Sequence, residues 1–326
     1  MHRHIFVVIA LFAMPFAAMA SKADVLPIPL GERLSVEADV VQKGLFVLVN
    51  DNGGLGIVSP LAGMIVNGVA KNNAETRIAP MNEALASYRL DETLKARLQA
   101  KLASGLALEG ISPNPELSFW ERGQQVSGGS VIVKDVPLQA MVILPQYFMS
   151  QDFDRLTVKL HVQVVDRERK ANGQYKARAR ATRIYTFNQR LEETKVEENA
   201  AVWHSLPPRA LAALLDEGID HVIDMMIYDF SAEGRSEWDA NVRNGRATLD
   251  GHVYGGKEVR RGDGWIWLRS GAPAQILMQR VVVNPAPFKM GINGFRVIDP
   301  AALVASADSP AGAATELPAS APPPGH

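Results

Sequence analysis

The segment Leu156–Val165 alternates apolar and polar residues nearly throughout. Leu156, Val158, Leu160, Val162 and Val164 are separated by Thr157, Lys159, His161 and Gln163. A period of two means a strand with one buried and one wet face. Further on, Asn172-Gly173 is the dipeptide that supplies the positive φ angles of a tight two-residue hairpin. A turn centred there sets Val164 opposite Ala181, Leu160 opposite Tyr185 and Val158 opposite Phe187, so the two strands agree on which face is the core. Arg183 then falls opposite Val162 on the inner face, which calls for a sheet edge or a buried ion pair.

Helical patterns flank this hairpin. In "RLDETLKARLQAKLASG", Leu90, Leu94, Leu98 and Leu102 recur every fourth position, Asp91 suits a cap and Gly105 a stop. After the hairpin, "PPRALAALLDEGIDHVIDMMIYDF" carries an apolar stripe of Leu211, Leu215, Ile219, Val222 and Met226, entered through Pro207 and Pro208. Earlier, "VEADVVQKGLFVLVN" (36–50) reads as a strand, and residues 53–72 as a helix rich in small residues. "LALEGISP", "LSFWER", "SVIVKD" and "LQAMVILPQYF" have strand character. Beyond residue 231 short strands and glycine turns dominate, in "ATLDGHVYGG", "DGWIWLRSG" and "AQILMQRVVVNP".

The fold class that follows is α+β, a mixed or antiparallel sheet with packed helices. The expected division is a leader at 1–20, an α/β domain at 21–231, a small β-rich domain at 232–300 and a disordered Ala/Pro-rich tail at 301–326, whose composition cannot offset the entropy of ordering. The leader reading rests on Arg3, the apolar run "IFVVIALFAMPFAAM" and the small-x-small "AMA" at Ala18–Ala20. With no cysteine in 326 residues, disulfides, thiolate metal sites, a cysteine nucleophile and an acylated cysteine are excluded for this chain. Export without cysteine points to a periplasm. A formal net charge of −1 gives no global field that would draw in nucleic acid.

Local charge is another matter. Lys159, His161, Arg167, Arg169, Lys176, Arg178 and Arg180 gather on the expected wet face and turn of the hairpin, with Asp166 and Glu168 as local offsets. Such a face suits phosphate headgroups or another anionic surface, with salt-dependent strength. A second candidate is the uncharged run "LGIVSPLAGMIVNGVA", where Leu55, Ile57, Leu61, Met64 and Ile65 would serve membrane or helix contact, or form a buried core helix. Its Gly54-Leu55-Gly56-Ile57-Val58-Ser59 holds two of the three glycines of a dinucleotide fingerprint, but Ser59 and Pro60 break the pattern, and the glycines read as packing. No cofactor is expected. Glu217, His221 and Asp224 share a helical face at spacings of four and three, a partial ligand set that also fits a solvent face, and no metal is assigned. Ser130 lacks the nucleophile elbow, His204-Ser205 is followed by two prolines, and Arg261-Gly262-Asp263 leads into a Gly-Asp-Gly turn. No catalytic residue is nominated.

The order strand, helix, several antiparallel strands, helix resembles the α/β domain of periplasmic and outer-membrane assembly factors, of the TolB amino-terminal and curli-secretion lipoprotein type, over residues 34–230. The likeness is carried by "LTVKLHVQVV", "KARARATRIYTF" and the following amphipathic helix. It departs from the lipoproteins in having no cysteine to acylate. "VYGGKEVRRGDGWIWLRSGAPAQILMQRVVV" is similar to a small bacterial SH3-like barrel. The resemblance implies a non-enzymatic periplasmic accessory or assembly factor that binds an envelope protein or anionic envelope surface, with peripheral membrane contact and no nucleic acid. The other readings are a hydrolase of envelope polymers and a structural homo-oligomer subunit.

Overall fold

The computed structural model describes residues 34–39, 42, 44–51, 54–58, 68–105, 116–120, 138–173, 175–192, 195–231, 233–234, 237, 245–269 and 291–308. Among them, strands β1 (Leu34–Asp39), β2 (Phe46–Asp51), β3 (Gly54–Val58), β4 (Glu116–Trp120), β5 (Gln139–Ser150), β6 (Arg155–Arg169), β7 (Tyr175–Arg190), β10 (Lys257–Gly262), β11 (Trp265–Arg269) and β12 (Ile292–Val297) make one mixed sheet. Its main path runs β10-β11-β12-β7-β6-β5-β1-β4, and β2, which also pairs with β3, joins β5 beyond β1. Strands β8 (Arg246–Leu249) and β9 (His252–Gly255) form a separate ribbon. The helices are α1 (Gly68–Ala84), α2 (Leu90–Gly105), α3 (Val196–Ser205), α4 (Pro208–Phe230) and α5 (Pro300–Asp308). The mixed α/β character read from the sequence is what the chain adopts.

The centre of the sheet is the long β6–β7 hairpin. Val158 pairs with Phe187, Leu160 with Tyr185 and Val164 with Ala181, the register that alternation sets. The connection itself is longer than a two-residue turn, since Arg169 pairs with Tyr175; Gly173 supplies the positive φ, at 81°. A one-residue bulge between Val164 and Val165, with Arg180 looped out of β7, absorbs the difference.

One face of this hairpin carries the core. Leu211, Leu215, Ile219, Val222 and Met226 of α4 are buried against it, and Leu90, Leu94, Leu98 and Leu102 of α2, which packs on α4, join the same buried cluster. Gly218 lets α4 approach closely: a Cβ there would lie 2.4 Å from Val158 Cγ2. Helix α1 adds Ala74, Ile78 and Met81, with Leu85 just past its end, and its Asn82 bonds both backbone groups of Leu45, at 2.7 and 3.0 Å. From α3, the Trp203 indole donates to the Phe153 carbonyl at 2.7 Å.

Several expectations need correction. The stretch 36–50 is two strands, β1 and β2. Residues 54–58, expected within a helix, form β3 instead, antiparallel to β2 with Leu48 opposite Ile57 and Val49 opposite Gly56. The "NDNGG" that precedes β3 is hairpin-turn chemistry, and it outweighs the small-residue helix signal. Leu61, Met64, Ile65, "SVIVKD" and "AQILMQRVVVNP" lie outside the described residues, as do the leader and residues 309–326. Residues 301–308, expected in a disordered tail, belong to the helix that starts at Pro300, whose Leu303 and Val304 pack on the core beside α4. Strands β10–β12 extend the main sheet through the parallel pairing of β12 with β7, so these strands continue the preceding sheet instead of forming a barrel of their own. The β8–β9 ribbon packs Ala247, Leu249 and Tyr254 on Ile266, Leu268 and Phe295 across the other face.

Arg183 is matched inside the protein. Its side chain is 2 % exposed and its Nε lies 3.8 Å from Oδ2 of the fully buried Asp229 at the end of α4. Arg269 of β11 reaches Asp229 Oδ1 at 2.7 Å, and the Tyr185 hydroxyl donates to Oδ2 at 2.8 Å. Burial, and then the Asp229 charge, push the Tyr185 phenol well above its ordinary range, so it stays a donor. Removing the carboxylate charge takes this partner from two buried guanidiniums. Asp229→Asn should lose about 3–5 kcal/mol of unfolding free energy in chemical denaturation, and a loss below about 1 kcal/mol would mean that the cluster does not hold α4 to the sheet.

Candidate functional site

The seven basic residues expected on one wet face divide into two groups. Lys159, His161 and Arg167 are buried. Arg169, Lys176 and Arg178 are exposed, and Arg180 is half-buried with its Nε 3.2 Å from Asp166 Oδ2. The division follows the length of β5. That strand begins at Gln139 opposite Asp166, so from Glu168 outward β6 and β7 pair only with each other and both faces of the ribbon reach solvent. Residues 166–180 hold six basic and two acidic side chains. Arg167 is taken by Glu37 in a two-pronged ion pair, 2.7 Å on each arm, which Ser35 supports with a hydrogen bond to the same carboxylate. With Arg180 on Asp166, the tip presents Arg169, Lys170, Lys176 and Arg178 against Glu168. Lys170, in the turn, belongs to this group although alternation gave no reason to choose it. Leu138, 62 % exposed, sits at the ribbon's base, where its carbonyl accepts from the Arg167 backbone N–H. Of the apolar candidates, Leu55 and Ile57 lie in β3.

The polar face of the sheet centre is buried, which corrects the expectation of a wet one. On it lie Thr157, Lys159, His161 and Gln163 of β6, Thr182, Thr186 and Asn188 of β7, and Asn293 of β12. Thr157 donates to Asn188, Asn188 to the Gly294 carbonyl and Thr186 to Asn293. Burial lowers the Lys159 ammonium to about 8, and burial, then the Lys159 charge, lower the His161 imidazole to about 4.

Glu217, His221 and Asp224 are not brought together as a ligand set. Asp224 turns to α2, where Lys101 holds it at 2.8 Å, in a row with Asp216 and Asp220 facing Arg97. His221 faces the sheet: it stacks on Phe187 at 3.9 Å, and its Nδ1 accepts from the Trp267 indole at 3.1 Å, which leaves the proton on Nε2, 3.8 Å from Glu217. Glu217 also pairs with Arg296; burial acts to raise its carboxyl, and the His221 and Arg296 hydrogen bonds outweigh it, so the group titrates below its usual range. Trp265 meets His221 edge-on, and Arg260 lies over the rings of Tyr228 and Trp267. Helical spacing alone could not reveal this aromatic cluster, because its strand partners are distant in sequence. Among the described residues no group of three or more His, Cys, Asp or Glu is placed to hold a metal ion, and no helix is long and apolar enough to cross a membrane.

No family model matches this chain, and no curated protein matches it. One solved structure, titled crystal structure of an uncharacterized protein, is similar over 58 % of this chain and 94 % of its own, at 13 % identity and a TM-score of 0.16.

Lys159 carries a measurable consequence. Its ammonium loses its proton near pH 8 in the folded chain and near the ordinary value of about 10.4 in the unfolded one, so the unfolded state holds the extra proton between those values. The cost of burying the charge is therefore complete below pH 8 and fades as pH rises toward about 10.4. Lys159→Met should be more stable than the parent at pH 7, by up to about 3 kcal/mol in urea titrations, and the gap should close by about pH 10.5. A Met variant that is less stable at pH 7 would show that the amine has a compensating partner.

Proposed function

We propose that this chain is an exported, non-enzymatic accessory or assembly factor of the cell envelope, which engages an anionic envelope component through the tip of the β6–β7 ribbon. The observation that carries this reading is the exposed Arg169, Lys170, Lys176 and Arg178 on a two-stranded projection whose remaining cations are already paired. Cations on such a projection reach a charged surface before the body of the protein does, and their attraction adds to about 1 kcal/mol per residue near an anionic bilayer.

The carboxylates support the non-enzymatic half. Acid–base hydrolysis needs a carboxyl whose environment pushes it up toward neutral pH. Glu37 is held by Arg167, Asp229 by Arg183 and Arg269, Glu217 by Arg296, Asp216 and Asp220 by Arg97, and Asp224 by Lys101. Each is engaged in an ion pair, an arrangement that suits structure. The periplasmic setting rests on the leader-like residues 1–20 and the cysteine-free composition.

Flotation with phosphatidylglycerol-containing vesicles tests the reading. The parent chain should bind at low salt and release at high salt. Arg169→Ala combined with Arg178→Ala should weaken binding about 30-fold, the equivalent of two cations, with an unchanged circular dichroism spectrum. Vesicle binding indifferent to both salt and the double substitution, or no binding to vesicles or to envelope fractions, would overturn it.

A further inference from the structure

The base of the β6–β7 hairpin, at the far end from the ribbon tip, sets two like charges side by side. Arg155 at the start of β6 lies directly opposite Arg190 at the end of β7. Backbone bonds fix both positions: Leu191 N–H donates to the Asp154 carbonyl and Ile298 N–H to the Arg190 carbonyl, each at 2.8 Å. Alternation puts both side chains on the polar face, in the row beyond Thr157 and Asn188. There the face opens. Thr157 and Asn188 are buried, whereas Arg155, Arg190 and the adjoining Val297 of β12 are half-buried, and the Arg190 side chain is 37 % exposed. A solute reaches this row from water with the fold intact.

Like charges directly opposite on a sheet repel, and little here offsets them. The Arg155 side chain makes no hydrogen bond or ion pair among the described residues. Arg190 Nε lies 3.7 Å from Asp154 Oδ2, too far for a hydrogen bond, and has no other partner. A third donor stands beside them. Tyr254 of β9 stacks on Phe295 at 4.4 Å, and Phe295 adjoins Asn188 on β7, one row from Arg190. The Tyr254 hydroxyl is buried and lacks a hydrogen-bond partner as well. Burial raises that phenol above its usual range while the Arg190 and Arg155 charges act to lower it, so both guanidiniums are within its reach. The acids nearby are Asp154, which also accepts from Ser150, and Asp250 in the exposed turn of the β8–β9 ribbon, which acts on Arg261 too.

We propose that Arg155, Arg190 and the Tyr254 hydroxyl form a binding site for the phosphate group of a small soluble molecule. Two guanidiniums from adjacent strands and a phenol from a third element offer donors from different directions, which suits the tetrahedral oxygens of phosphate better than the planar pair of a carboxylate. An anion seated between the arginines replaces their repulsion with charge-assisted hydrogen bonds and gives the unpartnered hydroxyl an acceptor. The half-buried row beside Tyr254 admits a group small enough to enter next to the β8–β9 ribbon, which a headgroup held in a bilayer surface is not free to do. This site is separate from the tip cations and does not depend on the envelope-binding reading.

The test is isothermal titration calorimetry of the intact chain with inorganic phosphate, near neutral pH and at low ionic strength. One phosphate should bind saturably, with Kd about 1 mM or tighter, and acetate at least about tenfold more weakly. Tyr254→Phe keeps the ring that stacks on Phe295 and loses only the hydroxyl; it should weaken phosphate about tenfold, and Arg155→Gln at least as much. Arg169→Ala combined with Arg178→Ala should leave the phosphate affinity unchanged. Absence of saturable phosphate binding, even where phosphatidylglycerol vesicles are bound, would overturn the proposal. So would equal affinity for acetate, or a phosphate affinity that Tyr254→Phe or Arg155→Gln leaves unchanged. An affinity lost with the two tip arginines would place the anion on the ribbon tip and overturn it too. The parent titration and the acetate comparison stand even where a variant does not fold.

Discussion

A charge inside this protein has to be met where it lies, and that requirement fixes α4. Arg183 points into the core because β7 alternates, and no choice of register removes it while Ala181, Tyr185 and Phe187 stay buried. Asp229 answers it from the last turn of α4, with Tyr185 and Arg269 completing the carboxylate's partners. Two further contacts pin the helix along its length. Gln189 donates to the Leu214 carbonyl at 3.0 Å, and Gly218 lies against Val158 where a side chain would not fit. An apolar stripe alone tolerates sliding by a turn. A buried ion cluster does not, because moving Asp229 would take its carboxylate from two buried guanidiniums at a cost of several kcal/mol.

The same constraint draws in the late strands. Arg269 brings β11 to Asp229, Trp267 bonds His221, and Arg296 of β12 pairs with Glu217, so α4 contacts β11 and β12 through polar groups as well as apolar ones. The parallel pairing of β12 with β7 then places residues separated by more than a hundred positions side by side, as where Thr186 donates to Asn293 at 2.6 Å.

This also explains what could be read from the chain in advance. The hairpin register, α2 and α4 were legible because each is determined by its own periodicity and end signals. Helix α1 was not, since its buried Ala74, Ile78 and Met81 are spaced among Asn, Glu, Thr and Pro80. The polar face failed for a different reason. Alternation identifies a face that must be buried, but it says nothing about whether the other face is open, and Lys159, His161 and Gln163 are polar yet buried. Of the candidate basic surface, Arg169, Lys176 and Arg178 are exposed at the tip. Lys159 and His161 were misplaced because that distinction is set by where β5 begins.

The two populations of charge have different physics, and the proposed function depends on the difference. Pairs such as Glu37–Arg167 and Asp229–Arg269 sit in low dielectric at contact distance, where mobile ions do not enter and screening is weak. The tip cations stand in water, and their reach shrinks to about 8 Å at physiological ionic strength. Salt can therefore switch the ribbon's attraction without loosening the fold, because the charges that hold α4 and the charges that would meet a partner are different residues in different media. Such a separation lets a protein bind and release a charged surface while its interior stays fixed. Had the same arginines served both purposes, each release would have weakened the core.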